Sequence, residues 1–214
     1  MSRKRQAQHR LGPQRDPAID EAVLRATREL LIENGYAGTT IDAIATRAGV
    51  GRPAIYRRWP SKAHIVHDAV YPVMESEGVS DDLEIAEEIT RLTYGAVALF
   101  GDPAAREAVP GLMSEGRSDP ELRRALTTDQ LEVIREELGR RLAEAAAAGE
   151  VREGIDPDTL LDVIAGAAIF AQSSRDVQDQ ERLASTLVDI VLNGVLPAPV
   201  PAATSRDRGP VPQV

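Results

Sequence analysis

Four cations, Arg52, Arg57, Arg58 and Lys62, fall within eleven residues of one another, and the tyrosine Tyr56 lies among them. Two threonines, Thr39 and Thr40, precede them in the chain. A guanidinium can donate a bidentate pair to guanine O6 and N7, a contact that discriminates by roughly 1–3 kcal/mol. Ammonium, phenol and hydroxyl groups donate to phosphate oxygens, which sets register rather than sequence. The chemistry on offer is recognition of a base-bearing polyanion. Arg52 is the candidate base reader, and the Pro53 ring and Ala54 methyl are apolar groups suited to thymine methyls. Tyr56, Arg57, Arg58 and Lys62 suit phosphates. Thr39 or Thr40, at a helix N-terminus, adds donors where a phosphate is favoured.

Bond-making chemistry finds few candidates. His64 and His67 share a helix face at i, i+3 but have no third ligand in view, and His9 stands apart, so surface or interface positions are expected for them and no metal site. The carboxylate pairs Glu87-Glu88 and Glu136-Glu137 lie in charge-dense helices and read as solvated faces. Cysteine is absent, which excludes disulfides, thiolate nucleophiles and Cys-ligated zinc. No catalytic residue and no cofactor is expected, and an all-α enzyme would need a convergent constellation that the chain does not offer.

These side chains must be positioned by helices. Ala, Leu, Arg and Glu, all strong helix formers, dominate a chain whose aromatic share is only 3%, and sustained period-2 alternation is missing. Four Asp-Pro pairs punctuate it, at Asp16-Pro17, Asp102-Pro103, Asp119-Pro120 and Asp156-Pro157. Asp is a preferred N-cap and Pro is well tolerated at the first helical position, so each pair marks a helix start. The first helix carries Ile19, Ala22, Val23, Ala26 and Leu30 at helical spacing and stops at Asn34-Gly35. A second opens at Thr39-Thr40 with Ile41, Ile44, Ala45 and Ala48 as its apolar positions. After the break at Ala48-Gly49-Val50 a short third runs through Tyr56, anchored by Val50, Ala54 and Ile55. Ser61 caps a fourth with Ile65, Val66, Ala69, Val70 and Val73 on one face. Further helices are expected at about 82–100, 103–115, Asp119 to Ala148, 157–174 and 179–193. The fold class is all-α.

Two short helices about a Gly-containing turn follow the helix-turn-helix plan, though on composition alone the same residues describe any small helical hairpin with surface arginines. The net charge of −9 argues against a nucleic-acid partner until its distribution is considered. Residues 1–62 carry 12 Lys/Arg against 6 Asp/Glu, and the remainder carries 13 against 28. A basic head on an acidic body fits a protein that meets DNA with one end.

The stretch from Gly35-Tyr36 through Thr39-Thr40, Ile44-Ala45, Ala48-Gly49-Val50 and Ile55-Tyr56 to Trp59-Pro60-Ser61-Lys62 closely resembles the DNA-binding domain of the tetracycline-repressor (TetR) family. The motif-level resemblance covers about residues 16–70, and the remainder matches in length and helical layout. It implies base contacts from Arg52, Pro53, Ala54 and Tyr56, and phosphate contacts from Thr40, Tyr56, Arg58 and Lys62. A linking helix would join this three-helix head to a C-terminal helical ligand-binding and dimerisation domain.

Within that body, Leu160 to Phe170 is apolar almost all round and must be buried on more than one side. Leu183, Leu187, Ile190 and Val191 form a stripe on the last helix. The resemblance implies that these two helices build a homodimer interface, and a two-fold dimer reads two half-sites about one helical turn apart. It also implies a pocket for a small-molecule effector between helices spanning about 82–174. Tyr94, Phe100, Leu112, Met113 and Phe170 are the candidate lining residues, because few other large side chains are available there. The organisation expected is a basic arm (1–15), a DNA-binding head (16–62), a ligand-binding and dimerisation body (63–196) and a Pro-rich tail (197–214), with arm and tail unstructured. No secretory signal and no apolar run long enough to span a membrane is seen, so a cytoplasmic protein is expected. The function expected is a ligand-responsive repressor on a palindromic double-stranded DNA operator. The alternative is a helical protein-interaction module or non-DNA-binding homologue.

Overall fold

The computed structural model describes residues 17–71, 83–126, 132–175 and 177–195. The arm (1–15), Asp16, Val73 and the tail (197–214) lie outside the described residues. Ten helices and no strand are described: α1 (Pro17–Gly38), α2 (Ile41–Ala48), α3 (Arg52–Tyr56), α4 (Lys62–Val70), α5 (Ile85–Gly101), α6 (Pro103–Gly116), α7 (Pro120–Arg124), α8 (Glu132–Ala148), α9 (Pro157–Ser174) and α10 (Gln180–Val195). The helix expected from Asp119 to Ala148 is represented by α7 and α8, and residues 127–131 between them lie outside the description.

The Asp-Pro starts behave as capping chemistry requires. Asp102 accepts from the Ala104 and Ala105 amides at 3.0 and 3.1 Å. Asp119 accepts from Glu121 and Leu122 at 3.0 Å each, and Asp156 from Thr159 at 2.9 Å. These bonds satisfy amide donors that the first helical turn leaves without partners. The first helix does break at Gly35, whose φ of 66° lies in the left-handed region, and a further helical turn carries it on to Gly38.

Three apolar clusters hold the molecule. Val23, Leu30, Ile44, Ala45, Ile55, Trp59 and Ile65 form the core of the head. Ile85, Ile89, Leu138, Leu142, Leu160, Leu161 and Ile164 form one at the far end of the body. The third belongs to both parts, because Leu31 of α1 and Ala63, Val66 and Val70 of α4 pack with Ala104, Ala105, Ala108, Val109 and Leu112 of α6. The face of α6 turned toward the head is rich in alanine, which lets the backbones approach. Arg28 reinforces the junction, donating to Asp102 at 2.7 Å and to the Ala69 carbonyl at 3.0 Å. α4 therefore contributes Ile65 to the head core and Ala63, Val66 and Val70 to the shared core.

The body corrects one sequence reading. Glu88, expected on a solvated face, is fully buried. It accepts from Arg91 at 2.6 and 3.1 Å and lies 3.9 Å from the buried Arg141, which also donates to the Leu83 carbonyl. A buried carboxylate is tolerable only when paired and hydrogen-bonded, and two guanidiniums meet that need here.

Candidate nucleic-acid interface

α3 has five residues, too few to persist as an isolated helix. Its place is set by Ile55, which is fully buried in the head core, and by Val50 at its margin. Burying a side chain of that size contributes about 1.5–3 kcal/mol. The turn that precedes it is made by Gly49 at φ 68°, with the Val50 amide donating to the Ala45 carbonyl at 3.0 Å. Past α3, Trp59 closes the head from below. Its indole donates to Asp68 of α4 at 2.7 Å, and Asp68 also meets His67 Nδ1 at 3.0 Å. Burial would raise the Asp68 carboxyl, but the bonds from His67 and Trp59 hold it below its ordinary value.

Arg52, Pro53, Tyr56 and Arg57 are exposed on α3 and its C-terminal edge, and Ala54 is half-buried behind them. Arg52 is not isolated: its Nη1 donates to Asp42 on α2 at 2.8 Å, with both side chains largely in solvent. Thr40 is the N-cap of α2 and accepts from the Ala43 amide at 3.2 Å. These groups share one face, with a helix start at its side, and present edge-reading and phosphate-type donors together.

Three expected phosphate contacts are placed differently. Thr39 is buried, and its hydroxyl donates to the Gly35 carbonyl at 2.8 Å. That bond closes the turn after the kink, so the side chain is internal. Arg58 has little exposure; it pairs with Asp20 of α1 and donates to the Ala54 carbonyl at 3.2 Å. Lys62 donates to the Tyr36 carbonyl at 3.0 Å and lies 3.8 Å above the Tyr36 ring. Each of the three thus has a partner on α1: Gly35, Asp20 and Tyr36 respectively. His67, expected at a surface or interface, is buried beside Asp68 and the Tyr71 ring.

The candidate effector residues scatter. Leu112 and Phe100 are packed in the shared core. Tyr94 borders an open hollow of about 530 Å³ with Leu83, Ala86, Thr90, Arg91 and Leu192. Met113 and Phe170 are 54% and 71% exposed, so they face away from any space inside this chain. Composition singles out large side chains on these helices but cannot choose between the faces. Among the described residues no group of three His, Asp or Glu could hold a metal ion, and no helix is long and apolar enough to cross a membrane.

Comparison with known proteins agrees with this geometry. The family model for bacterial regulatory proteins of the tetR family matches residues 23–69. That for the tetracyclin repressor-like C-terminal domain matches 79–191. A relative, an HTH-type transcriptional regulator of Mycobacterium bovis, is 31% identical over 188 residues, covering 81% of this chain and 92% of the relative. The fold is shared with a transcriptional regulator from Saccharomonospora viridis in complex with choline (TM-score 0.64, 18% identity, 86% of this chain and 100% of that one). It is shared too with the regulator FadR of Bacillus subtilis in complex with stearoyl-CoA (TM-score 0.61, 19% identity, 81% and 98%).

Proposed function

Because the chain belongs to the TetR family of transcriptional regulators, which are not enzymes, we propose that it is a repressor that binds a palindromic operator as a homodimer and is released by a small molecule. The observation that carries the reading is the exposed face of α3, where Arg52, Pro53, Tyr56 and Arg57 stand clear of a helix held from behind by Ile55. Arg52 reads a guanine, Pro53, Ala54 and Tyr56 complete the base contacts, and Arg57 and the Thr40 helix start hold phosphates. Lys62 and Arg58 serve this surface from behind, by fixing Tyr36 and Asp20.

Dimerisation is supported by apolar surface on the last two helices. Val163 and Phe170 of α9 and Ile190 of α10 are 52%, 71% and 61% exposed. A Cβ built on Gly166 or Gly194 would meet nothing within 4 Å among the described residues, which leaves room for a second backbone to approach. We assign the head to 16–62 and the effector and dimer functions to 63–196, working in the cytoplasm. We place the effector site between α5, α6 and α9, at the core that Phe100 and Leu112 share and Tyr94 packs against. The two liganded fold neighbours hold choline and stearoyl-CoA, so this architecture accommodates very different chemistries and does not by itself select one.

Selection of bound duplexes from a random DNA pool tests the reading. A palindromic consensus is expected, and Arg52→Ala should relax one base position in each half-site by roughly 1–3 kcal/mol. Absence of any enriched sequence would favour a helical protein-interaction module instead.

A further inference from the structure

The proposed DNA-facing surface carries a carboxylate, Asp42, that the function does not use. Asp42 lies in the first turn of α2, two residues after the Thr40 cap, and its side chain is 70% exposed. A negative group so placed is repelled by the phosphates that the same helix start should hold. Its Oδ1 accepts from Arg52 Nη1 at 2.8 Å, and the Arg52 side chain is itself 61% exposed. Arg52 at the first position of α3 therefore has a tether reaching across the turn from α2.

We propose that Asp42 is a specificity-determining residue, which positions Arg52 for a base edge and keeps it off the phosphate backbone. Two physical consequences of the pair support this. An arginine on a flexible stem is attracted to any phosphate, and every such contact adds affinity that is blind to sequence. Pairing with a carboxylate cancels the net charge of the side chain, so non-specific attraction weakens. The guanidinium keeps the remaining N–H groups of its planar fork for a bidentate acceptor such as guanine, and one tethered nitrogen limits the orientations of that fork. In solvent such a pair contributes little to stability, so its removal should leave folding alone and alter recognition.

The inference rests on the operator-reading function proposed above, and its test separates the two. The measurement is affinity for the selected operator and for a random-sequence duplex across a salt series. The proteins are wild type, Asp42→Asn, Asp42→Glu, Arg52→Ala and the double variant Arg52→Ala/Asp42→Asn. For Asp42→Asn we expect tighter binding to random duplex, a salt slope steeper by about one phosphate contact per subunit, and a specificity ratio lowered about tenfold or more. Asp42→Glu, whose carboxylate can still reach Arg52, should recover most of that ratio. In the Arg52→Ala background, Asp42→Asn should no longer change the ratio. If wild type selects no operator, the reading of function fails. If wild type selects one and Asp42→Asn keeps the wild-type ratio, or weakens both duplexes equally, the positioning role is overturned.

Discussion

Asp68 shows how a single carboxylate can join the head to α4. Donors from Trp59 and His67 hold it below its ordinary value in the folded protein. A carboxyl whose folded value is depressed stabilises the fold above its unfolded value, and that contribution is lost as the pH falls through the folded value. Stability should therefore fall more steeply in acid for wild type than for Asp68→Asn, as read by melting temperature across the range below about pH 5. Glu88 has a larger stake because it is fully buried between Arg91 and Arg141. Its removal strands buried positive charge, and Glu88→Ala should cost about 3–5 kcal/mol in denaturant unfolding. Neither role was visible in the residue itself. Glu88 sits in a charge-rich run, and its burial follows from Arg141, which α8 supplies from 53 positions further along the chain.

At the scale of elements, Gly35 and Gly111 decide how α1 meets α6. A Cβ on Gly111 would fall 2.3 Å from the Tyr36 ring, so α6 needs a glycine there to admit the ring. Gly35 sits at φ 66° with the Glu107 carboxylate 3.2 Å from where its Cβ would be. Burial, together with the neighbouring Glu115 carboxylate, pushes the Tyr36 phenol well above its ordinary range, so this contact stays neutral across the physiological range. Gly111→Ala is expected to lower the melting temperature, and Gly111→Ala with Tyr36→Leu to recover part of it, since the shorter side chain vacates the clash. The elements themselves were largely legible, because caps and turns are local. Asp102, Asp119 and Asp156 bond amides two or three positions away, and Gly49 makes the turn its neighbours announce. The partners of Arg58 and Lys62 within the chain, Asp20 and Tyr36, were not legible, being 38 and 26 positions away. A pattern of residue types does not encode which distant side chains will meet. The exposure of Met113 and Phe170 was not legible for a related reason. A helix of mostly apolar residues does not announce which face its own chain will cover.

At the scale of the whole molecule, the apolar surface of α9 and α10 bears on the operator. In the proposed homodimer, two heads read two half-sites only while the bodies stay paired, with recognition helices about 34–36 Å apart or a multiple of that. Phe170→Asp is expected to give a folded monomer in sedimentation and to weaken operator binding far more than binding to a single half-site. The proposed effector would act by the same route, since it can release DNA only to the extent that it favours a dimer shape whose spacing no longer matches. The core shared by α1, α4 and α6 limits what can be exchanged between regulators of this kind. A hybrid spliced just before Ala63, to give this head a foreign sensor, would leave Leu31 and Tyr36 facing a surface that evolved against other side chains. Transplantable units would need matched knobs and hollows at that seam, so a builder of biosensors should graft α6, with its alanine face and Gly111, along with the head.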